Sequence, residues 1–140
     1  MELTWETVGD ILKTARTIAV VGLSNKPDRP SHEIASYLQE VGYRIIPVNP
    51  TIQEALGEKA YKNLRDIPER VDVVQIFRRP EEVPALVDEA IAIGATVVWM
   101  QPGAENEDAA ARAEAAGLKA VVGACMRSAH QTLSKTRRTH

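Results

Sequence analysis

The sequence predicts an α/β protein built on a doubly wound parallel sheet. Short β-branched runs alternate with segments of helical spacing, and several runs are apolar on successive residues, as expected of strands covered by helices on both faces. Three helical segments are followed by a glycine and then by the next run, which is typical of right-handed strand–helix–strand units. The predicted strands are Ile18–Val21, Arg44–Val48, Val71–Phe77, Thr96–Met100 and Lys119–Val122.

The helical segments are recognised by apolar residues that recur on one face. The first has Ile34 and Leu38, the second has Val83 and Val87, and the third is an alanine-rich stretch from Glu107 to Ala116. The glycines that end them are Gly42, Gly94 and Gly117. An extra N-terminal helix is predicted from Thr4 to Ala15, where Val8, Ile11 and Leu12 share a face.

The region between Pro50 and Val71 is too irregular for a full strand–helix unit. Thr51 and Glu54 could form a capping box for a short helical turn that ends at Gly57, and Ala60–Tyr61 could form a strand stub. The predicted sheet therefore has six strands in the order 3-2-1-4-5-6, with the stub as strand 3. We expect one domain over residues 1–140, with a frayed polar tail at 134–140.

Composition excludes several classes of protein. The net charge of −2 gives no global basic field of the kind that nucleic-acid binders carry. The single cysteine, Cys125, permits neither an intrachain disulfide nor a metal site of several cysteines, and no metal site is predicted. No secretory signal pattern and no apolar run of about 20 residues is seen, so we expect a cytoplasmic protein that does not enter a membrane.

The predicted topology places a ligand crevice above the carboxyl ends of strands 1 and 4. The chain leaves these two strands in opposite directions, and ligands of doubly wound sheets bind where that happens. The loops that border this crevice follow Val21, Val48 and Phe77.

The first of these loops has the features of a phosphate site. Gly22 permits a sharp turn, and Ser31 is a good N-cap for a helix whose free N–H groups favour an anion. Lys26 and Arg29 add positive charge. The alternative is an ordinary connection with a helix cap, although ten residues exceed the usual length of such loops.

The third loop is also basic. Arg78 and Arg79 could bind phosphate oxygens, with Phe77 as a flat apolar neighbour. Alternatively, the arginines form a solvated pair with Glu81 or Glu82. Two basic loops that face one crevice predict a ligand with several phosphates.

A nicotinamide dinucleotide is the less favoured ligand. The G-x-G-x-x-G pattern lacks its second and third glycines, since Ser24 and Pro27 stand there. The second strand is followed by Asn49 and Pro50 rather than by an acidic residue for a ribose diol. An NAD(P)-binding or other nucleotide-binding protein stays as an alternative.

Four motifs carry a resemblance to a known family. They are VVGLSNKP at 20–27, PVNP at 47–50, FRRP at 77–80 and WMQPG at 99–103. Their order and spacing resemble the stand-alone CoA-binding domain family, which is similar to the N-terminal CoA-binding domain of the succinyl-CoA synthetase alpha subunit. The resemblance implies a Rossmann-like protein that binds coenzyme A or an acyl-CoA at the carboxyl edge of its sheet, as a non-catalytic or accessory protein.

The resemblance also implies roles for the matching positions. The first loop would hold the pyrophosphate, the end of the second strand would lie against the adenosine, the third loop would flank the phosphates, and a glutamine would form the floor. These residues are Gly22, Ser24, Asn25, Lys26, Asn49, Pro50, Phe77, Arg78, Arg79 and Gln101. For the 3′-phosphate the candidates are Lys26, Arg29 and Arg78.

No recognisable catalytic constellation is present. Cys125 follows the last strand and could exchange thiols with CoA or accept an acyl group, but a free cysteine is more often a small buried apolar residue. His32 and His130 are interpreted as structural. Two alternatives to an accessory CoA binder therefore stay open: an acyl-CoA or thiol-exchange enzyme that uses Cys125, and a module that recruits a protein partner.

Overall fold

The computed structural model describes residues 4–138, with side chains through residue 135. Over this range no helix has both the length and the apolar content that a membrane span needs. In chain order the elements are α1 (Trp5–Thr14), β1 (Thr17–Val21), α2 (Pro30–Glu40), β2 (Arg44–Val48), β3 (Glu54–Ala55), β4 (Glu58–Lys59), β5 (Val73–Ile76), α3 (Val83–Ala92), β6 (Val97–Met100), α4 (Glu107–Ala115), β7 (Lys119–Val122) and α5 (Met126–Arg138).

The main sheet has five parallel strands in the order β2-β1-β5-β6-β7. The chain moves from β1 to one side and from β5 to the other, so the doubly wound Rossmann-like fold is confirmed. The stub expected as a sixth strand is one parallel bridge between Val48 and Tyr61. It lies beside β2, as predicted, but is too short to count as a strand.

The prediction of a helical turn ending at Gly57 is wrong, because this segment forms a small hairpin. Strand β3 pairs antiparallel with β4. Leu56 and Gly57 between them have φ values of 55° and 75°, as in a two-residue hairpin turn. Thr51 caps no helix, since its hydroxyl donates to Asn49 Oδ1 at 2.7 Å.

Two apolar cores cover the two faces of the sheet, because strand side chains alternate between faces. Ile18 and Val20 face one core together with apolar residues of α1, α2 and α5. Ala19 and Val21 face the other, with residues of α3 and α4. Trp99 is fully buried in the first core, where its indole N–H donates to the Ala124 carbonyl at 2.7 Å.

The C-terminal segment differs from the frayed tail that was expected from residue 134. Helix α5 continues to Arg138, while residues 139 and 140 lie outside the described part of the chain. Leu133, directly before this segment, packs against the core that includes Val8, Ile11 and Leu12 of α1, and this anchors the helix from which residues 134–138 continue.

Candidate functional site

An open cleft of about 800 Å³ lies at the carboxyl edge of the sheet. Its walls come from the segments that follow β1, β2, β5 and β6, so it occupies the predicted crevice. The structure brings most of the predicted site residues together here: Gly22, Ser24, Asn25, Lys26, Arg29, Ser31, Asn49, Phe77, Arg78 and Arg79. The remaining two, Pro50 and Gln101, do not line the cleft.

The cleft is strongly cationic. Among the described residues, four cations and one carboxylate line it: Lys26, Arg29, Arg78 and Arg79 with Glu82. The pKa of Glu82 is lowered, chiefly because the Arg79 N–H donates to its carboxylate and also because both arginine side chains are near. The ion pair of Arg79 with Glu82, at 3.4 Å, involves a largely exposed arginine and is easily exchanged for a ligand anion.

The first loop keeps several backbone N–H groups free among the described residues. Ser24 N–H donates to Ser31 Oγ at 3.0 Å, and Lys26 N–H donates to Ser24 Oγ at 3.1 Å. Within residues 4–138 the N–H groups of Asn25 and Ser31 have no protein acceptor. Free N–H groups at the N-terminus of α2, next to two cations, form a donor set suited to phosphate oxygens.

The prediction that Ser31 is the N-cap of this helix is wrong. Helix α2 begins two residues earlier than that cap implies, with Pro30 in its first turn and Arg29 at the N-cap without a side-chain hydrogen bond. Proline favours this start, because it lacks the N–H that would be unsatisfied there and keeps the preceding residue extended. Ser31 thus accepts a hydrogen bond across the loop instead.

Gly22 is the point at which the first and third loops touch. Its φ is +90°, and an added Cβ would lie 2.4 Å from the Phe77 carbonyl oxygen. Its N–H donates to the Val48 carbonyl at 2.8 Å, while Phe77 N–H donates to Val21 at 2.9 Å. The missing side chain therefore lets the two basic loops approach each other.

Asn49, which was expected to contact the adenosine, holds two loops together. Its Nδ2 donates to the Leu23 carbonyl at 3.1 Å, and its Oδ1 accepts from the N–H and the hydroxyl of Thr51. Much of its hydrogen-bonding capacity is thus used within the protein.

Pro50 lines a second cavity of about 380 Å³ that adjoins the cleft. The two spaces share Arg78 and Glu82. Lys62 also lines the second cavity, although it was not predicted as a site residue from the sequence. No local motif marks it, because its position depends on the bridge that attaches Tyr61 to β2.

Gln101 was expected on the floor of the crevice, but the structure buries it below. It is 2% exposed, and its Oε1 accepts from Gln75 Nε2 at 3.1 Å and from Met126 N–H at 2.9 Å. The alternation of β6 accounts for this, because Gln101 continues the face of Trp99. The cleft surface here is formed instead by Pro102, Gly103 and Ala104, none of which was a predicted site residue.

The three residues considered for catalysis do not line the cleft. Cys125 is half-buried at the start of α5. His130 packs edge-to-face against Tyr37 and Tyr43, with Nδ1 2.7 Å from the Tyr37 hydroxyl, and burial lowers its pKa. His32 is partly buried in the first turn of α2.

Comparison with known protein families shows which family the chain belongs to. Residues 16–131 match the model of the CoA binding domain family. The protein belongs to this family. The resemblance inferred from the four motifs is therefore confirmed.

Three similar proteins illustrate the extent of the match. The uncharacterized protein YneT of Bacillus subtilis (strain 168) is 43% identical over 123 residues, which cover 88% of this chain and 91% of YneT. A hypothetical protein from Pyrococcus horikoshii OT3 has a TM-score of 0.91 at 41% identity, covering 94% of this chain and 93% of that one. The alpha subunit of an ADP-forming acetate–CoA ligase II from Pyrococcus furiosus is 40% identical over 68 residues, which are 48% of this chain and 15% of that subunit.

Proposed function

We propose that this protein binds coenzyme A, or an acyl-CoA, in the cationic cleft and acts as an accessory rather than a catalytic protein. The observation that carries the proposal is the convergence of two basic loops on one cleft, in a chain of the CoA-binding domain family. A ligand with several phosphates satisfies both loops at once, whereas a single phosphate could reach only part of this charge.

The residues of the cleft fit such a ligand. The free N–H groups of Asn25 and Ser31, with Lys26 and Arg29, suit the pyrophosphate from one side. Arg78 and Arg79 approach from the third loop. The apolar residues of the cleft lining suit the uncharged portion of the ligand. They are Ile52, Phe77, Pro102 and Ala104.

An NAD(P)-type ligand is the first alternative, since the same cations could bind its pyrophosphate. It is disfavoured at the ribose, because the residue after β2 is Asn49 and its side chain is already bonded to Leu23 and Thr51. Titration with NAD in parallel with CoA separates these two readings.

Thiol exchange at Cys125 is the second alternative. Burial raises the pKa of this thiol, but hydrogen bonds from Ser128, Gln101 and Arg127 outweigh that effect, so that the pKa is lowered and thiolate forms more readily. An accessory role is nevertheless favoured, because the described residues that line the cleft include neither cysteine nor histidine. Incubation with CoA disulfide tests it, because the Cys125 thiolate would form a mixed disulfide with one CoA and release the other as a thiolate. Loss of this adduct in Cys125→Ser would favour exchange.

Calorimetric titration with CoA tests the proposed function. Arg78→Ala should weaken binding by about 1–3 kcal/mol, because a charge-assisted hydrogen bond is lost. Arg16→Ala is the matched control: it removes an exposed arginine that precedes β1, at the opposite edge of the sheet, and should leave the Kd unchanged.

Two results would overturn the assignment. Wild-type protein that binds NAD but not CoA would indicate a dinucleotide protein. Equal losses in Arg78→Ala and Arg16→Ala would show that the cleft is not the binding site and that only overall charge matters.

A further inference from the structure

The second cavity continues the cationic cleft on the side of β2 and α3. Arg78 and Glu82 line both spaces, so a ligand held by Arg78 in the cleft is already at the border of the cavity. The inner wall consists of Val21 and Val48, the last residues of β1 and β2.

The lining of this cavity differs in chemistry from that of the cleft. Polar atoms contribute most of the exposed surface of the cleft, whereas apolar atoms contribute most of the exposed surface of the cavity. Its apolar residues are Val21, Val48, Pro50, Leu64, Ala85 and Leu86. A pocket of about 380 Å³ with such walls fits a flat heterocyclic base better than a phosphate chain.

Lys62 supplies a cation to this apolar cavity. The backbone before it is held in place, since Tyr61 N–H donates to Pro47 at 3.0 Å and Asn49 N–H donates to Tyr61 at 2.9 Å. Within residues 4–138 the Lys62 ammonium has no hydrogen-bond or ion-pair partner. It is therefore available to a ligand anion.

Two carboxylates also line the cavity, and each has a different relation to the ligand. Glu82 is bonded to the N–H and the side chain of Arg79. Glu89 is half-buried, and its carboxylate has no partner among the described residues, so it can accept a hydrogen bond from an amino group such as that of adenine.

We propose that the second cavity takes the adenosine end of the ligand and that Lys62 binds the phosphate on its ribose. Lys62 thus distinguishes CoA from dephospho-CoA, which lacks that phosphate. Arg78, at the border, contacts phosphate oxygens that both ligands share. This inference rests on the proposed binding of CoA in the cleft.

Titration of CoA and dephospho-CoA against wild type and Lys62→Ala tests the role of Lys62. We expect Lys62→Ala to weaken CoA roughly 10-fold, in line with the loss of one charge-assisted contact, and to leave dephospho-CoA nearly unchanged. Wild type should prefer CoA by a similar factor. Lys62→Arg should keep this preference, because it retains the cation.

Lys119→Ala is the control, since it removes an exposed lysine from the opposite edge of the sheet, where β7 begins. It should alter neither affinity. Equal effects of Lys62→Ala on both ligands, or no effect on either, would overturn the proposed role of Lys62. Neither result would contradict the proposal that the protein binds CoA. Wild-type protein that binds neither ligand would overturn the proposed function itself.

Discussion

Gly22 shows how a single residue sets the distance between two loops that are far apart in the sequence. The residue has a positive φ and also lies against the carbonyl of Phe77, so a side chain would be strained and would clash. A glycine at this place was expected to permit a sharp turn of the backbone. The structure adds a second reason, which is the contact between the two basic loops.

We expect Gly22→Ala to destabilise the fold more than Gly94→Ala. Gly94 has a φ of +74° and nothing within 4 Å of an added Cβ, so its substitution isolates the backbone penalty of about 1 kcal/mol. Gly22→Ala should cost about 1–3 kcal/mol more, because the carbonyl of Phe77 must move. Urea unfolding of both variants measures the difference, and equal losses would contradict the contact.

At the scale of elements, helix α5 connects the end of β7 to the buried floor beneath the cleft. Its first N–H, on Met126, donates to Gln101 Oε1, which fixes the orientation of that amide. Gln75 Nε2 donates to the same oxygen, and Gln75 Oε1 is buried without a partner among the described residues. The Gln101 side chain also lowers the pKa of Cys125, so this helix start links the sheet to the thiol.

The lowered pKa of Cys125 predicts that its alkylation begins at a lower pH in the folded protein than in the urea-unfolded chain. Only the thiolate reacts, and the N–H and hydroxyl of Ser128 stabilise it. Ser128→Ala should shift the pH profile of iodoacetamide labelling upward. Ser134→Ala, farther along α5, should not. Identical profiles for folded and unfolded wild type would contradict the hydrogen bonds described.

At the scale of the whole molecule, the cleft exists only because separate strand–helix units meet at one edge of the sheet. Its cations come from the loops after β1 and β5, and its remaining walls follow β2 and β6. Like charges gathered by folding repel one another, and a polyphosphate relieves that repulsion. Binding of the ligand should therefore stabilise the folded state of the whole chain.

Thermal unfolding with and without CoA measures this linkage. At a free CoA concentration 100 times the Kd, the folded state should gain about 2.7 kcal/mol, and Tm should rise by roughly 8 °C for a chain of this size. Dephospho-CoA at equal concentration should give a smaller rise, in proportion to its weaker binding. No rise at saturating CoA would contradict selective binding to the folded state.

Much of the fold followed from local sequence, because hydrophobic periodicity and helix-ending glycines act over a few residues. The strands Arg44–Val48 and Lys119–Val122 have the predicted bounds. Strands β1 and β6 differ from the prediction by one residue at the first end, and β5 is shorter than predicted at both ends. The topology followed from the handedness of successive units, which also placed the two basic loops at one edge. These features need no knowledge of long-range packing.

Tertiary structure alone decided the features that depend on partners distant in the chain. Gln101 is buried because its partners, Gln75 and Met126, come from other elements. Ser31 bonds across a loop rather than to its own helix, and Lys62 lies at a cavity because Tyr61 attaches to β2. A hydrogen-bonding or charged side chain takes whichever partner the folded chain brings near, and the identity of that partner is not encoded in its sequence neighbours.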